Sequence, residues 1–231
     1  MAYRSHTTKI ENGLSTITIN KPSGTVEGDI LLLLVSLDRT TAETITPPSG
    51  FAALASSPLN SAVEAGSSAC FWKKAGASEP ASYDWTCTSS ASTAGILAAY
   101  SGRDGTTPIN ASSGLAEGGA ASAASVNATG ITPSVDNCDI VYLAATDTTV
   151  SATVSWTPPS GMTERAEVTT ASPWVNATLA DLTQGTAAST GTVTGTATWT
   201  GGGTTGRMAF LVALAPAAGS SAKPAYYFAQ L

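Results

Sequence analysis

Apolar residues in this chain gather in four dense runs of strand length, at positions 30–37, 94–100, 140–145 and 208–214. No longer stretch keeps an i, i+3, i+4 apolar stripe free of glycine, proline or β-branched runs, so the pattern predicts almost no helix. Between the dense runs, weaker β-type segments recur at about ten-residue spacing, bounded by turn residues, as in a sandwich or barrel. The predicted strands of the first half lie at 14–20, 29–37, 50–54, 68–74, 82–88 and 94–100. Those of the second half lie at 125–130, 139–146, 162–168, 176–182, 193–199 and 207–214. A strand with one wet face alternates apolar and polar side chains, and the four dense runs do not. Both of their faces are therefore expected to be covered, one by an opposing sheet and the other by a loop, the tail or another subunit. This favours a protein that works in an assembly.

The two halves also repeat one another. Gly28-Asp29-Ile30-Leu31-Leu32, followed by Thr46-Pro47-Pro48-Ser49-Gly50-Phe51, returns as Cys138-Asp139-Ile140-Val141-Tyr142, followed by Thr157-Pro158-Pro159-Ser160-Gly161-Met162. Tyr83-Asp84-Trp85-Thr86 before the run at 94–100 returns as Ala197-Thr198-Trp199-Thr200 before the run at 208–214. Two copies are too few for a solenoid, which needs about three units to bury a continuous core. The pattern therefore predicts an all-β protein, an antiparallel β-sandwich of jelly-roll or immunoglobulin-like type built from an internal duplication. Its body would span 1–216, with repeats at about 14–104 and 124–216, followed by a C-terminal arm at 217–231. Two tandem sandwiches are the alternative.

Composition narrows the function classes. Of 231 residues only 11% are charged and 42% are hydrophobic, which excludes disorder driven by charge repulsion. The formal net charge of −6 argues against nucleic acid, whose phosphates need clustered Lys and Arg. Lys73-Lys74 is the one adjacent basic pair and reads as a solvated strand end. The apolar runs fall far short of the roughly 20 residues that cross a bilayer, and the first 20 residues have no apolar signal-peptide core. A cytoplasmic origin is expected, with no membrane partner. Cys70, Cys87 and Cys138 show no metal spacing and read as buried free thiols.

Candidate chemistry is sparse. His6 is the one histidine, and no Gly-x-Ser-x-Gly elbow accompanies it, so a Ser-His-Asp triad is not supported. No glycine-rich loop leads from a strand into a helix, so no cofactor is predicted. Asp29 and Asp139 open equivalent strands and read as turn aspartates accepting a backbone N–H rather than as calcium ligands. Among the five tryptophans, Trp85 and Trp199 occupy matching places and read as twin core anchors. Trp156 precedes a Pro-Pro turn and reads as packing on proline. Trp72 and Trp174 have no aromatic counterpart in the other copy and are the candidate exposed ligand-binding residues. In the arm, a small-residue linker leads to Tyr226, Tyr227 and Phe228, three rings suited to docking on a neighbouring subunit or shell. An arm folded back on its own body is the other reading.

The order Gly-Asp-Ile-Leu-Leu, Thr46 to Phe51, Ala77-Ser78-Glu79-Pro80-Ala81-Ser82-Tyr83-Asp84-Trp85-Thr86 and Gly95-Ile96-Leu97-Ala98-Ala99-Tyr100-Ser101-Gly102-Arg103-Asp104, with Thr107-Pro108-Ile109-Asn110, resembles a group of phage and prophage virion-surface proteins. The resemblance runs from Gly28 to Leu214 and carries no catalytic or ligand motif with it. It implies a structural virion protein made in the host cytoplasm, a capsid decoration (cement) protein or a head or tail appendage. The implied partners are the major capsid protein or other virion proteins, with a homo-oligomer, guessed as a trimer. The alternative is a receptor- or carbohydrate-binding module of a fibre. An enzyme is the distant third.

Overall fold

Threonine, valine and small hydroxyl residues between the apolar runs suit a pleated surface, and they extend the strands well beyond the runs themselves. The computed structural model describes residues 3–38, 43–61, 66–148, 153–168 and 175–218, and all regular structure among them is β. The first half contains β1 (Tyr3–Asn20), β2 (Ile30–Asp38), β3 (Ile45–Thr46), β4 (Ala52–Ala53), β5 (Leu59–Asn60), β6 (Gly66–Lys74) and β7 (Ser82–Tyr100). The second contains β8 (Ile109–Ala128), β9 (Cys138–Thr148), β10 (Val154–Thr157), β11 (Thr163–Val168), β12 (Val175–Gln184) and β13 (Val193–Leu214).

Each half forms one antiparallel sheet, and the two sheets have the same topology. The first runs β1-β7-β2-β6-β4, with β3 also on β7 and β5 on β6. The second runs β8-β13-β9-β12-β11, with β10 also on β13. The duplication read from the sequence is thus a duplication of strand order, with β5 the one addition among the described residues.

The sheets differ from the sequence reading in extent. The stretches 82–88 and 94–100 are one strand, β7, and 193–199 and 207–214 are likewise one strand, β13. β1 begins at Tyr3 rather than Leu14, and β8 at Ile109 rather than Ser125. The leading stretch of β1 is mostly polar and that of β8 is rich in Ser, Ala and Gly, and both are largely half-exposed, so no apolar alternation announces them.

The two sheets face each other across a central core. Ile30, Leu32, Leu34, Ile96, Ala98 and Tyr100 meet Val141, Leu143, Ala145, Phe210, Val212 and Leu214. The opposite face of each sheet carries a core of its own. Leu31, Leu33, Val35 and Leu37 pack with Ile17, Ile19, Phe51 and Trp85. On the second sheet, Ile140, Tyr142, Ala144 and Leu211 pack with Val126, Trp156 and Trp199.

Where the sequence offered a loop, the tail or another subunit as cover, the far half of the same long strands lies over these outer faces. Trp85 and Gly95 lie in one strand ten residues apart, which a straight strand would separate by ~33 Å. A Cβ on Gly95 would nevertheless lie 2.6 Å from the Trp85 ring. The β1/β7 ladder therefore folds back over the sheet. Register shifts around Glu11, Leu14 and Thr16 mark the bend, as β-bulges do. The β8/β13 ladder shifts between Thr198 and Gly203. Beyond that shift the Tyr142 hydroxyl reaches the returning strand, donating to the Val126 carbonyl at 2.7 Å, with Gly195 leaving room for its ring.

Trp85 and Trp199 are both buried, at 0% and 4% exposure, but not at the matching places read from the sequence: anchored on the Thr46–Thr86 and Thr157–Thr196 pairings, Gly195 stands where Trp85 does. A ring of that size buries ~150–250 Å², an upper bound of ~4–6 kcal/mol at ~25 cal/mol per Å².

The repeats are out of step by one residue in their central strands. In β2 the residue after the aspartate, Ile30, points into the central core. In β9 the residue after the aspartate, Ile140, points into the outer core. Because strand side chains alternate, Asp139 takes the inward register that Ile30 holds in β2. Asp29 and Asp139, twins in the sequence, are not twins in the fold.

Gly95→Ala should lower stability by ~1–3 kcal/mol, because the new methyl overpacks against the Trp85 ring. Trp85→Ala should cost ~3–5 kcal/mol through lost burial and the cavity left behind. Urea unfolding measures both. A neutral Gly95→Ala variant would mean that the returning ladder is not packed on this strand.

Candidate functional site

Asp29 behaves as a turn residue should. It accepts the Val26 backbone N–H at 2.9 Å and pairs with Arg4 at 2.7 Å. Asp139, turned inward, meets Arg103 at 3.3 Å with both side chains 2% exposed. It also accepts the Thr183 hydroxyl at 2.7 Å. Burial raises its carboxyl above the ordinary range, against the pull of Thr183 and Arg103. Arg103 also donates from Nε to the Ser101 carbonyl and from Nη1 to the Leu214 carbonyl. Around it the backbone is laced, Asp104 N–H to Ala215 and Ala217 N–H to Gly102. Gly102-Arg103-Asp104 thus ties the segment joining the two sheets to the chain leaving β13.

A second polar cluster bridges the sheets directly. The Tyr100 hydroxyl on β7 donates to Asp181 on β12 at 3.0 Å. Arg165 on β11 donates to the other oxygen of Asp181 at 2.9 Å and stacks 4.8 Å from the centre of the Tyr3 ring on β1. Tyr3 in turn shares a hydrogen bond with His6 Nδ1. Burial, reinforced by Asp181, pushes the Tyr100 hydroxyl well above its ordinary range, so it is a fixed donor and not a nucleophile. His6, which the sequence placed in a polar lead, lies in β1, where burial lowers its pKa. The cluster joins the two sheets and has no nucleophile beside a base.

Lys73 is not a solvated strand end. Its ammonium pairs with Glu79 at 2.8 Å and lies over the Phe51 and Tyr83 rings at 6.0 and 5.6 Å. Tyr83 donates to Glu79 at 2.7 Å, and its ring meets Phe51 edge-on at 5.2 Å. Together Phe51, Lys73, Glu79 and Tyr83 close one end of the outer core in the first repeat.

The corresponding end of the second repeat is open. A groove of about 550 Å³ is lined by Ile140, Met162, Leu182 and Val193, with Ser and Thr hydroxyls and Gln184 around them. Repeat positions explain the difference. Met162 follows the second Pro-Pro-Ser-Gly turn where Phe51 follows the first. Leu182 pairs with Ile140 as Lys73 pairs with Leu31. Val193 pairs with Ala128 as Tyr83 pairs with Ile19, in ladders anchored by the Thr157–Thr196 and Thr46–Thr86 pairings. Phe51, Lys73 and Tyr83 are thus replaced by Met162, Leu182 and Val193, which are smaller or uncharged. The mismatch at Phe51/Met162 was visible in the repeat alignment, but that alignment set Tyr83 against Ala197, whereas the ladders set it against Val193.

A second groove, of about 580 Å³, lies where the chain leaves the body, lined by Asp104, Asn110, Asp136, Ala217 and Ala218 among others. The two grooves flank one loop, since Asp136 accepts the Ala187 N–H at 2.7 Å while Ser189 and Thr190 line the first groove.

Of the residues singled out in the sequence, Trp72 is half-buried and packs against the central core, pairing with Leu32 and Ala52. Trp174, Tyr226, Tyr227 and Phe228 lie outside the described residues. Trp156 joins the second outer core. The three cysteines are buried and free, and burial pushes the Cys70 thiol far up. Among the described residues, no three His, Cys, Asp or Glu side chains gather as metal ligands.

No family model and no curated protein matches the chain. Among solved structures, the crystal structure of the STIV MCP, a viral major capsid protein, aligns over 92% of this chain and 97% of its own, with 11% identity and a TM-score of 0.22. A score that low carries no argument about fold or role.

Glu79 supplies a test of the plug. Burial works to raise its carboxyl, but the Gly76 N–H, Lys73 and Tyr83 outweigh burial and hold it below its ordinary value of 4.5. A carboxyl lowered on folding stabilises the fold above the unfolded value and loses that contribution as pH falls through the folded one. The thermal midpoint should therefore decline in acid from about pH 4.5 downward, and Glu79→Gln should flatten part of that decline. An unchanged acid profile in the variant would show that the plug contributes nothing.

Proposed function

We propose that this protein is a structural component of a bacteriophage particle, a capsid decoration (cement) protein that stabilises the head through contacts between subunits, and that it is not an enzyme. The observation that carries this reading is the use made of the chemically capable side chains. Arg103, Asp139, Tyr100, Asp181 and Arg165 all tie the two repeats to each other or to the joining segment. Three buried cores and two inter-repeat polar ties give a stiff double body, suited to bearing load at a surface. The sequence resemblance from Gly28 to Leu214 points the same way. In this reading the arm at 217–231 is the attachment element, with Tyr226, Tyr227 and Phe228 contacting the shell or a neighbouring subunit. Its partners are the major capsid protein and further copies of itself, and weak contacts gain strength from many copies on one particle. The competing reading, a carbohydrate-binding module, relies on an exposed tryptophan, and the packing of Trp72 against the central core counts against it.

Particles purified from a host carrying the gene should contain the protein in stoichiometric amounts by quantitative mass spectrometry. The combined variant Tyr226→Ala, Tyr227→Ala, Phe228→Ala should fold normally yet occupy particles at least tenfold less. A glycan array should stay silent. Particles without the protein, or strong and selective glycan binding, would overturn the reading.

A further inference from the structure

The open groove of the second repeat is half of a pair, and its twin shows what fills such a site. In the first repeat the same end of the outer core is filled by two aromatic rings, Phe51 and Tyr83, which meet edge-on. In the second repeat those rings are absent, and Met162, Leu182 and Val193 stand half-buried over Ile140 with nothing above them among the described residues. The lining includes no charged side chain; its polar members are neutral hydroxyls and an amide. Gln184 is already committed, donating to the Thr186 and Ala188 carbonyls, so it shapes the adjoining loop. Such a lining suits a neutral aromatic segment carrying hydroxyls, not an ion.

Two such segments lie outside the described residues, 169–174 with Trp174 and the arm. Of the two, Tyr226-Tyr227-Phe228 supplies the ring types that close the twin site, and Lys223 is the one charged side chain in the segment 219–231. The described body ends at Ala218, in the groove that shares a loop with this one. The eight residues from Ala218 to Tyr226 can span up to ~29 Å when extended.

We propose that the groove lined by Ile140, Met162, Leu182 and Val193 is the seat of the Tyr226-Tyr227-Phe228 arm of a neighbouring copy. The duplication has left one copy of the site plugged by its own rings and the other open to receive rings from outside. The contact is head-to-tail: an arm on one subunit meets a groove on the next, and it closes into a ring if the rotation between subunits allows. The choice of a neighbouring copy as donor rests on the reading of the protein as a multi-copy virion component; the fit of the rings to the groove does not.

The experiment uses the full chain free in solution, without particles. Sedimentation should give an oligomer that dissociates on dilution, and the variant Tyr226→Ala, Tyr227→Ala, Phe228→Ala should be monomeric. A fluorescent peptide of residues 219–231, added to that arm variant, should bind. Binding should weaken at least tenfold when Ser189→Trp, at the exposed rim, is introduced. Leu182→Lys with Val193→Tyr, which restores the Lys73 and Tyr83 side chains of the twin site, should do the same. Ser49→Trp, on the plugged repeat, should change nothing and thus controls for general damage. Should Leu182→Lys with Val193→Tyr fail to fold, the exposed Ser189→Trp substitution alone decides. Peptide binding unaffected by Ser189→Trp would overturn the seat. A full-length chain that stays monomeric at every concentration would overturn the inter-copy contact. Failure of the virion reading looks different: the oligomer forms through the groove, but the protein is missing from particles.

Discussion

Side chains on β2 and β9 are apolar on both faces, and in an antiparallel pair of sheets only one face can meet the partner sheet. Leu31, Leu33, Val35 and Leu37 on one strand, with Ile140, Tyr142 and Ala144 on the other, point away from the central core and still must leave water. The chain meets this demand by making its hairpins about twice as long as one layer needs and folding the far half back over the sheet. Trp85 touching its own strand at Gly95 is the point where that return becomes visible. The bulges in the β1/β7 and β8/β13 ladders, the small residues near the bends and the buried Trp85 and Trp199 all follow from the same need. Each repeat becomes a two-layered unit, and the two units share a third core between them.

Duplication supplied this plan twice, and the copies have since diverged where their surroundings differ. The one-residue offset in β9 turns Asp139 inward, where a lone carboxylate would be costly. Arg103, from the segment that joins the halves, stands opposite it. Removing one partner of such a pair leaves an uncompensated buried charge, which is far worse than lacking the pair altogether. The joining segment is therefore held in one path over the second sheet, and Pro216 pairs with it by a β-bridge. Charge placement here determines where the chain leaves the body, and hence where an arm can act.

The same divergence separates the two ends of the outer cores. One end is closed by Lys73, Glu79, Tyr83 and Phe51, a set that satisfies its own charges. The other has Leu182, Val193 and Met162 in place of Lys73, Tyr83 and Phe51 and so exposes apolar surface in a concave form. A plugged site adds stability, whereas an open one leaves apolar surface in reach of a partner, and both suit the structural role proposed above.

Sequence by itself determined the β class, the duplication and the identity of the buried anchors. Dense apolar runs and paired turns are local signals that survive in one dimension. It also marked Asp29 as a turn residue and the cysteines as buried thiols. The strand extents, the cover of the outer faces, the offset between Asp29 and Asp139 and the partners of Arg103, Lys73 and Asp181 were decided only by the tertiary structure. These depend on which residues meet after the ladders bend. The bend arises in stretches of Ser, Thr, Ala and Gly, where small side chains permit the turn without any periodic pattern to announce it. Register within a strand is equally silent, because a single-residue slip leaves composition untouched while it moves every side chain to the opposite face.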